Sequence, residues 1–165
     1  MRPYNATSAV PLVFKKETNV VIKKLKKWSL KEVQQHMKLS ADKALEAYNY
    51  IQNWGKKGNE SQSAPALYAY IGEAFKALNA ENLQENEHAY LQENLCILSG
   101  LYGVLRAQTC VEPYRLEIAQ SGVLPENQSL YAFWKKPIRN FFIKTLSKEE
   151  FIINLASVEY SKVID

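Results

Sequence analysis

Two short apolar segments, one between and one after longer segments with helical spacing, constrain the fold more than any other feature of the chain. Residues 66–71 read ALYAYI and residues 151–156 read FIINLA, which are short runs rich in aromatic or β-branched side chains. Such runs are typical of buried strands, and strands that alternate with helices indicate an α/β or α+β domain. We therefore predict a single domain, 1–165, with a small mixed sheet in which 66–71 and 151–156 are neighbouring core strands.

Helical spacing of apolar residues predicts helices at about 29–37, 40–54, 86–98 and 129–146. Ser29 precedes the first of these and Glu32 follows three residues later, which is the pattern of a capping box. Ser40 stands in the equivalent place before the second helix. Pro137 lies inside the last helix, which we expect it to kink or split.

Several classes of protein and of site find no support in the sequence. The chain has no run of about 18 apolar residues, and its first residues lack the apolar core of a signal peptide. We therefore expect a cytoplasmic protein that is not bound to a membrane. Cys96 and Cys110 lack metal-binding spacing and are expected to be reduced thiols. His36 and His88 are isolated and form no recognisable metal triad, so no cofactor is expected.

Charge is unevenly distributed along the chain, whose net charge is +4. Residues 1–60 carry twelve Lys or Arg and five Asp or Glu, whereas residues 61–130 carry three and eight. Clustered lysines raise the local potential and attract polyanions. The basic first third is therefore compatible with a phosphate-bearing partner, although a solvated helix face would show the same pattern.

The segment LCILSGLYGVLR, from Leu95 to Arg106, carries two glycines inside an apolar run. Gly100 and Gly103 could serve a turn, the close packing of two elements, or the close approach of a ligand to the backbone. The residues alone leave three interpretations open, namely packing, a DNA-binding hairpin and a small-molecule site.

Three clusters of polar residues are candidates for a site, since the usual motifs of nucleotide, zinc and hydrolase sites are absent. One cluster surrounds the two glycines, the second lies in EPYRLE at 112–117, and the third lies in NLASVEYSK at 154–162. Polar side chains just past a buried strand are where α/β sheets present functional groups, whereas local capping and ion pairs are the alternative. The cleft that we expect from these clusters comprises Ser99, Tyr114, Arg115, Glu117, Asn154, Ser157 and Glu159.

Four motifs occur in the order LSGLYGVLR, EPYRLE, LYAFW and INLASVEYSK. In sequence and spacing they closely resemble the YaaA family of bacterial peroxide-stress proteins, and the resemblance covers nearly the whole chain. Proteins of that family open with a strand and an SPAKT motif, which would end just before MRPYN, and they continue past residue 165 with a basic segment. The chain therefore resembles a family member that is incomplete at both ends.

The resemblance implies a cytosolic protein, induced in oxidative stress, that lowers intracellular free iron and so limits hydroxyl-radical damage to DNA. It also implies sequence-independent binding of double-stranded DNA through a positively charged cleft and a helix-hairpin-helix-like element. Residues 91–108 would form that element as helix, glycine turn and short helix, with backbone N–H groups close to phosphates. The DNA-contacting residues would be Gly100, Tyr102, Gly103, Arg106, Lys23, Lys24, Lys26 and Lys27.

No established enzymatic reaction follows from the resemblance, and we expect a protein that is not an enzyme. Two alternatives remain at this point. One is an enzyme of unassigned reaction that acts on a small anionic substrate in the expected cleft. The other is an inactive fragment, which would show a broken sheet edge and exposed apolar surface.

Overall fold

The computed structural model describes residues 10–57 and 62–164 and shows an α+β architecture. The helices are α1 (Lys15–Leu25), α2 (Leu30–His36), α3 (Ala41–Asn53), α4 (Ala66–Ala69), α5 (Glu73–Leu78), α6 (Glu85–Asn94), α7 (Leu130–Thr145) and α8 (Val158–Ser161). The strands are β1 (Ala64–Pro65), β2 (Cys96–Ser99), β3 (Gly103–Arg106) and β4 (Cys110–Val111). Single 3₁₀ turns lie at Ala80–Asn82 and Pro125–Asn127.

The strands form two separate antiparallel pairs, so the expected single mixed sheet is wrong for the described residues. β2 pairs with β3, and β1 pairs with β4. An isolated β-bridge between Val10 and Thr109 has parallel geometry. The strands are only two to four residues long, and the core is shared among helices, the β2–β3 hairpin and loop residues such as Leu116 and Ile118.

The N-terminal helices confirm the capping prediction. The Ser29 hydroxyl accepts the Glu32 backbone N–H at 3.3 Å, and the Glu32 carboxylate accepts the Ser29 N–H at 2.7 Å. This capping box starts α2. Ser40 occupies the N-cap of α3 with extended backbone, but its side chain makes no capping hydrogen bond.

Both predicted core strands are wrong. Residues 66–69 form the short helix α4, which starts after Pro65 and buries Ala66 and Leu67. Residues 151–156 form neither helix nor strand, and all of their side chains are exposed. A short apolar run is compatible with a buried helix turn as well as a strand, and the sequence period cannot separate the two.

One large apolar core joins the helices to the β2–β3 pair. α1 buries Val21, Ile22 and Leu25 against it, and α7 buries Trp134 and Ile138. α7 continues through Pro137 as one helix, so the predicted split does not occur. Phe14, just before α1, and Trp134 of α7 both lie beside Gly103 of the hairpin, and Ser99 in the hairpin is buried.

Candidate functional site

Residues 96–106 form a β-hairpin, and the predicted helix-hairpin-helix outline is wrong here. α6 ends at Asn94, and the chain then turns into β2. The register pairs Cys96 with Arg106 and Ser99 with Gly103. Cross-strand pairing of the apolar residues 97–98 and 104–105 favours extended backbone over the continuation of α6.

The two glycines of the hairpin serve tight packing. Gly103 has a φ of +71°, and a Cβ there would lie 2.6 Å from the Trp134 ring and 2.8 Å from Phe14. A Cβ on Gly100 would lie 2.7 Å from the Leu116 carbonyl oxygen. Both glycines are buried, so their amides are covered by protein and offer no open approach to a phosphate.

A chain of three hydroxyl groups starts in the hairpin turn. The buried Ser99 Oγ accepts the backbone N–H groups of Leu101 at 3.2 Å and Tyr102 at 3.0 Å, which fixes the turn. Ser99 Oγ also lies 2.7 Å from the Tyr114 hydroxyl, which lies 2.9 Å from the Tyr70 hydroxyl. All three hydroxyls are therefore engaged with one another.

The Tyr102 hydroxyl links the hairpin to the end of α3. It accepts the Trp54 indole N–H at 2.9 Å and donates to the Glu112 carbonyl at 3.2 Å. The Glu112 backbone N–H donates to the same hydroxyl at 3.2 Å. The Glu112 carboxylate in turn accepts the Gly55 N–H, at 2.9 and 3.0 Å from its two oxygens. This network holds EPYRLE against the helix that precedes residue 55.

Burial keeps the phenols of this region neutral. Desolvation raises the pKa of Tyr102, Tyr114 and Tyr70 above the usual 10.0. The pKa of Tyr160, at the start of the C-terminal segment, is also raised by desolvation and by the nearby Glu117 carboxylate. A phenol with a raised pKa is a poor general base at neutral pH, so these groups hold structure as hydrogen-bonded neutral species.

The expected cleft is assembled only in part. Ser99 and Tyr114 touch in the interior, whereas Arg115, Glu117, Asn154 and Ser157 are exposed. Asn154 and Ser157 accept nearby backbone N–H groups, those of Ala156 at 3.1 Å and Tyr160 at 3.4 Å.

Glu159 lies on α8, which Ser157 caps, and both Glu159 and Glu117 are close enough to Tyr160 to raise the pKa of that phenol. Glu159 accepts the Tyr131 hydroxyl at 3.5 Å. Within residues 10–57 and 62–164, Arg115 has no carboxylate within ion-pair distance, and none of the expected cleft residues lines either of the two surface grooves described below.

The cationic residues expected to contact DNA differ in their surroundings. Arg106 donates to the Glu93 carbonyl at 2.9 Å and lies 5.5 Å from the centre of the Phe141 ring. Lys26 donates to the Trp54 carbonyl at 2.7 Å. Lys23 and Lys27 are exposed, and Lys24 is half-buried. Lys23 and Lys27 are thus the members of the set whose surroundings leave them open to a partner.

Two open grooves lie on the surface of the described residues. One, of about 420 Å³, runs along α3 and is lined by Asp42, Glu46 and Asn49 among others. The other, of about 380 Å³, lies between the start of α1 and α7 and is lined by Lys136 and Lys144, with Glu17.

Residues 10–57 and 62–164 lack two features that would point to a metal site or a membrane protein. No three His, Cys, Asp or Glu side chains are grouped so that they could hold a metal ion. No helix in those ranges is long and apolar enough to cross a membrane.

Sequence reasoning missed three aromatic residues that hold this region together. Trp134 donates its indole N–H to the Gly100 carbonyl at 2.9 Å, Trp54 donates to Tyr102, and Tyr70 ends the hydroxyl chain. Their positions in apolar runs signal burial, but nothing in a linear pattern shows which distant polar group a buried indole or phenol will meet.

A family model and several related bacterial proteins match this chain over most of its length. A family model described as peroxide stress protein YaaA matches residues 2–165. A UPF0246 protein from Fusobacterium nucleatum is 40% identical over 152 residues, which cover 92% of this chain and 58% of that protein. One from Legionella pneumophila (strain Paris) is 39% identical over 166 residues, covering 98% and 65%, and one from Marinomonas is 35% identical over 149 residues, covering 90% and 57%. The chain thus spans less than two thirds of the length of these relatives.

Proposed function

Because this chain belongs to the peroxide stress protein YaaA family, we propose that the protein acts in the peroxide stress response by limiting intracellular free iron. Free ferrous iron reduces hydrogen peroxide and releases hydroxyl radicals, so less free iron means less damage to DNA. The observation that carries the proposal is the match of the family model over residues 2–165, nearly the entire chain. Relatives at 40% and 39% identity over most of this chain support the same assignment.

A bacterial strain that lacks its own family member tests this role. The strain is exposed to hydrogen peroxide while it expresses this chain, the full-length Legionella relative or an empty vector. Survival and unincorporated iron, measured by electron paramagnetic resonance after chelation, are the readouts. The proposal expects the relative to raise survival and lower free iron. Unchanged iron with the full-length relative would contradict it, and rescue by the relative but not by this chain would place the activity outside these residues.

We further propose that the protein contacts the DNA backbone through the exposed cations of α1 and α7. α7 carries Lys135, Lys136, Arg139 and Lys144, all exposed, and has no acidic residue. Phe14, which precedes α1, packs against Trp134 and Phe141 of α7, with ring centres 5.6 and 6.1 Å apart, so the two helices adjoin.

Phosphates in the groove between these helices would meet the cations of α7, at a distance from the Glu17 carboxylate on the α1 side. Lys136 and Lys144 line the groove itself. Contacts of lysines with phosphates carry no base information, so binding is expected to be independent of sequence.

Fluorescence anisotropy of a labelled duplex at several salt concentrations tests the DNA contact. The slope of log K against log salt is negative, and each lost phosphate contact reduces its magnitude by about 0.9. Replacing Lys136 and Lys144 together by Ala is therefore expected to reduce the magnitude of the slope by about two units. The matched control replaces Lys43 and Lys57, which are exposed on and after α3, and is expected to leave the slope unchanged. Equal slopes for the two double variants would contradict the assignment to the α1–α7 groove.

A further inference from the structure

The segment 151–156 is an apolar stretch that nothing in the described residues covers. Phe151, Ile153 and Leu155 are 80%, 71% and 86% exposed, and Ile152 between them is 41% exposed. In extended backbone Phe151, Ile153 and Leu155 would share one face, and Ile152 would project to the other. A folded protein rarely exposes so many large apolar side chains in one short stretch without a binding partner.

The backbone of the same segment is also open. Among residues 10–57 and 62–164, the backbone groups of 151–155 form no backbone hydrogen bond. The Ala156 N–H is taken by the Asn154 side chain at 3.1 Å. Free N–H and C=O groups beside apolar side chains are the features through which an extended segment joins a sheet.

The elements that flank the segment are both held against the core. α7 ends at Thr145, with five residues between it and the segment, and its buried Ile138 ties it to the main core. After the segment, α8 begins at Val158, and Val163 beyond it is 1% exposed. A stretch that is tethered on both sides explores fewer positions than a free end of the chain, which lowers the entropy cost of pairing with a partner.

We propose that 151–156 is an interior strand whose neighbouring strands belong to the part of the family protein that lies outside this chain. The relatives extend well beyond the matched residues, since this chain covers 58% and 65% of two of them. Five of the six residues of the segment are apolar, with Asn154 the exception. A strand that carries apolar side chains on both faces is typical of the middle of a sheet covered on both sides. A second copy of the same segment could pair with one edge only, which would leave the other edge and one face open. The proposal rests on family membership and is independent of the iron and DNA proposals.

Hydrogen exchange followed by mass spectrometry tests the proposal on three proteins. These are this chain, the full-length Legionella relative, and a chimaera in which this chain replaces the matching part of that relative. In this chain, amides 151–155 are expected to exchange at the rate of an unstructured peptide. In the other two proteins, exchange at the matching positions is expected to be slower by about a hundredfold or more. Equal, fast exchange in this chain and in the full-length relative would overturn the proposal, and so would protection in this chain alone that rises with its concentration.

A pair of matched variants adds a second readout. Ile153→Asp is expected to lower the thermal midpoint of the chimaera strongly and to leave that of this chain unchanged, because only the longer protein buries the side chain. Ile71→Asp, at a position that is 80% exposed in this chain, shows whether a new surface aspartate is harmless by itself. An equal effect of Ile153→Asp in both proteins would contradict the interior strand. If the chimaera does not fold, exchange in the full-length relative still decides the outcome.

Discussion

At the scale of single residues, Gly103 shows most directly how one missing side chain shapes the hairpin. Its positive φ and the nearness of Trp134 and Phe14 mean that any Cβ would meet both backbone strain and ring atoms. Gly103→Ala is therefore expected to lower the free energy of unfolding by about 2–4 kcal/mol. Urea unfolding followed by circular dichroism measures this loss.

The control for this substitution is Gly72→Ala. Gly72 has a negative φ of −63°, and a Cβ there has nothing within 4 Å. We expect a change within about 1 kcal/mol. A similar loss for both variants would show that Gly103 is not a packing constraint.

The Tyr102 hydroxyl provides a second prediction at this scale. Tyr102→Phe removes the acceptor of the Trp54 indole N–H and of the Glu112 N–H, and both donors stay near the protein interior. The expected loss of stability is about 1–3 kcal/mol, the cost of leaving buried polar groups unpaired.

Tyr90→Phe is the matched control for Tyr102→Phe. Tyr90 is 65% exposed, so its variant is expected to change stability by less than about 0.5 kcal/mol. Equal stabilities of the two variants in chemical denaturation would argue against the Tyr102 network.

At the scale of elements, the capping box of α2 can be separated from the mere presence of a serine at a helix start. The Ser29 hydroxyl accepts the Glu32 backbone N–H and the Ser29 backbone N–H donates to the Glu32 carboxylate. Ser40 at the start of α3 makes no side-chain capping hydrogen bond. Ser29→Ala is expected to cost about 1 kcal/mol, and Ser40→Ala clearly less. Thermal unfolding of both variants checks the difference. A larger loss for Ser40→Ala would contradict the capping account.

Helices with clear end signals could be predicted from the sequence to within one or two residues. The expected 29–37, 40–54 and 129–146 are observed as Leu30–His36, Ala41–Asn53 and Leu130–Thr145. Local features mark these helices, namely a serine at each N-cap position and apolar residues at helical spacing. The helix predicted at 86–98 is observed as Glu85–Asn94, so its predicted C-terminal end is wrong. Residues 96–99 form β2 because they pair with β3, and local spacing does not reveal that contact.

The strand predictions failed for different physical reasons. At 66–69 a helical turn buries the same apolar side chains that a strand would, so local pattern cannot decide between them. At 151–156 the sequence has strand character, but a strand needs partners, and the described residues provide none.

The candidate site was predictable from the sequence only as a set of polar motifs. Its contacts were not, because the bonds of Ser99 to Tyr114 and of Tyr102 to Trp54 join residues far apart in sequence.

At the scale of the whole molecule, the buried tyrosines predict how stability depends on pH. Tyr70, Tyr102, Tyr114 and Tyr160 come from four separate parts of the chain, and each has a pKa raised above 10.0 chiefly by burial. In the unfolded chain these phenols lose their protons near pH 10, whereas in the native protein they keep them. The unfolded state thus binds fewer protons above that pH, and stability falls as the pH rises.

Urea unfolding at pH 8, 9, 10 and 11 tests this dependence. Each fully buried phenol contributes a slope of about 1.4 kcal/mol per pH unit above its unfolded pKa. The phenols are neutral in both states at pH 8 and 9, so their contribution stays constant there. Tyr102→Phe is expected to make the alkaline slope shallower than that of the unsubstituted protein. An unchanged slope in this variant would refute the buried-phenol account.

The three tryptophans mark three different junctions of the fold, which makes the protein its own optical probe of assembly. Trp28 stacks on His36 at 4.7 Å between α1 and α2, Trp54 bonds to Tyr102 between α3 and the hairpin, and Trp134 bonds to Gly100 between α7 and the hairpin. The indole emission of each therefore reports a separate docking event. Stopped-flow fluorescence of variants that keep one tryptophan each would order those events in time, and the long sequence separation of the Trp54–Tyr102 contact places it among the later ones.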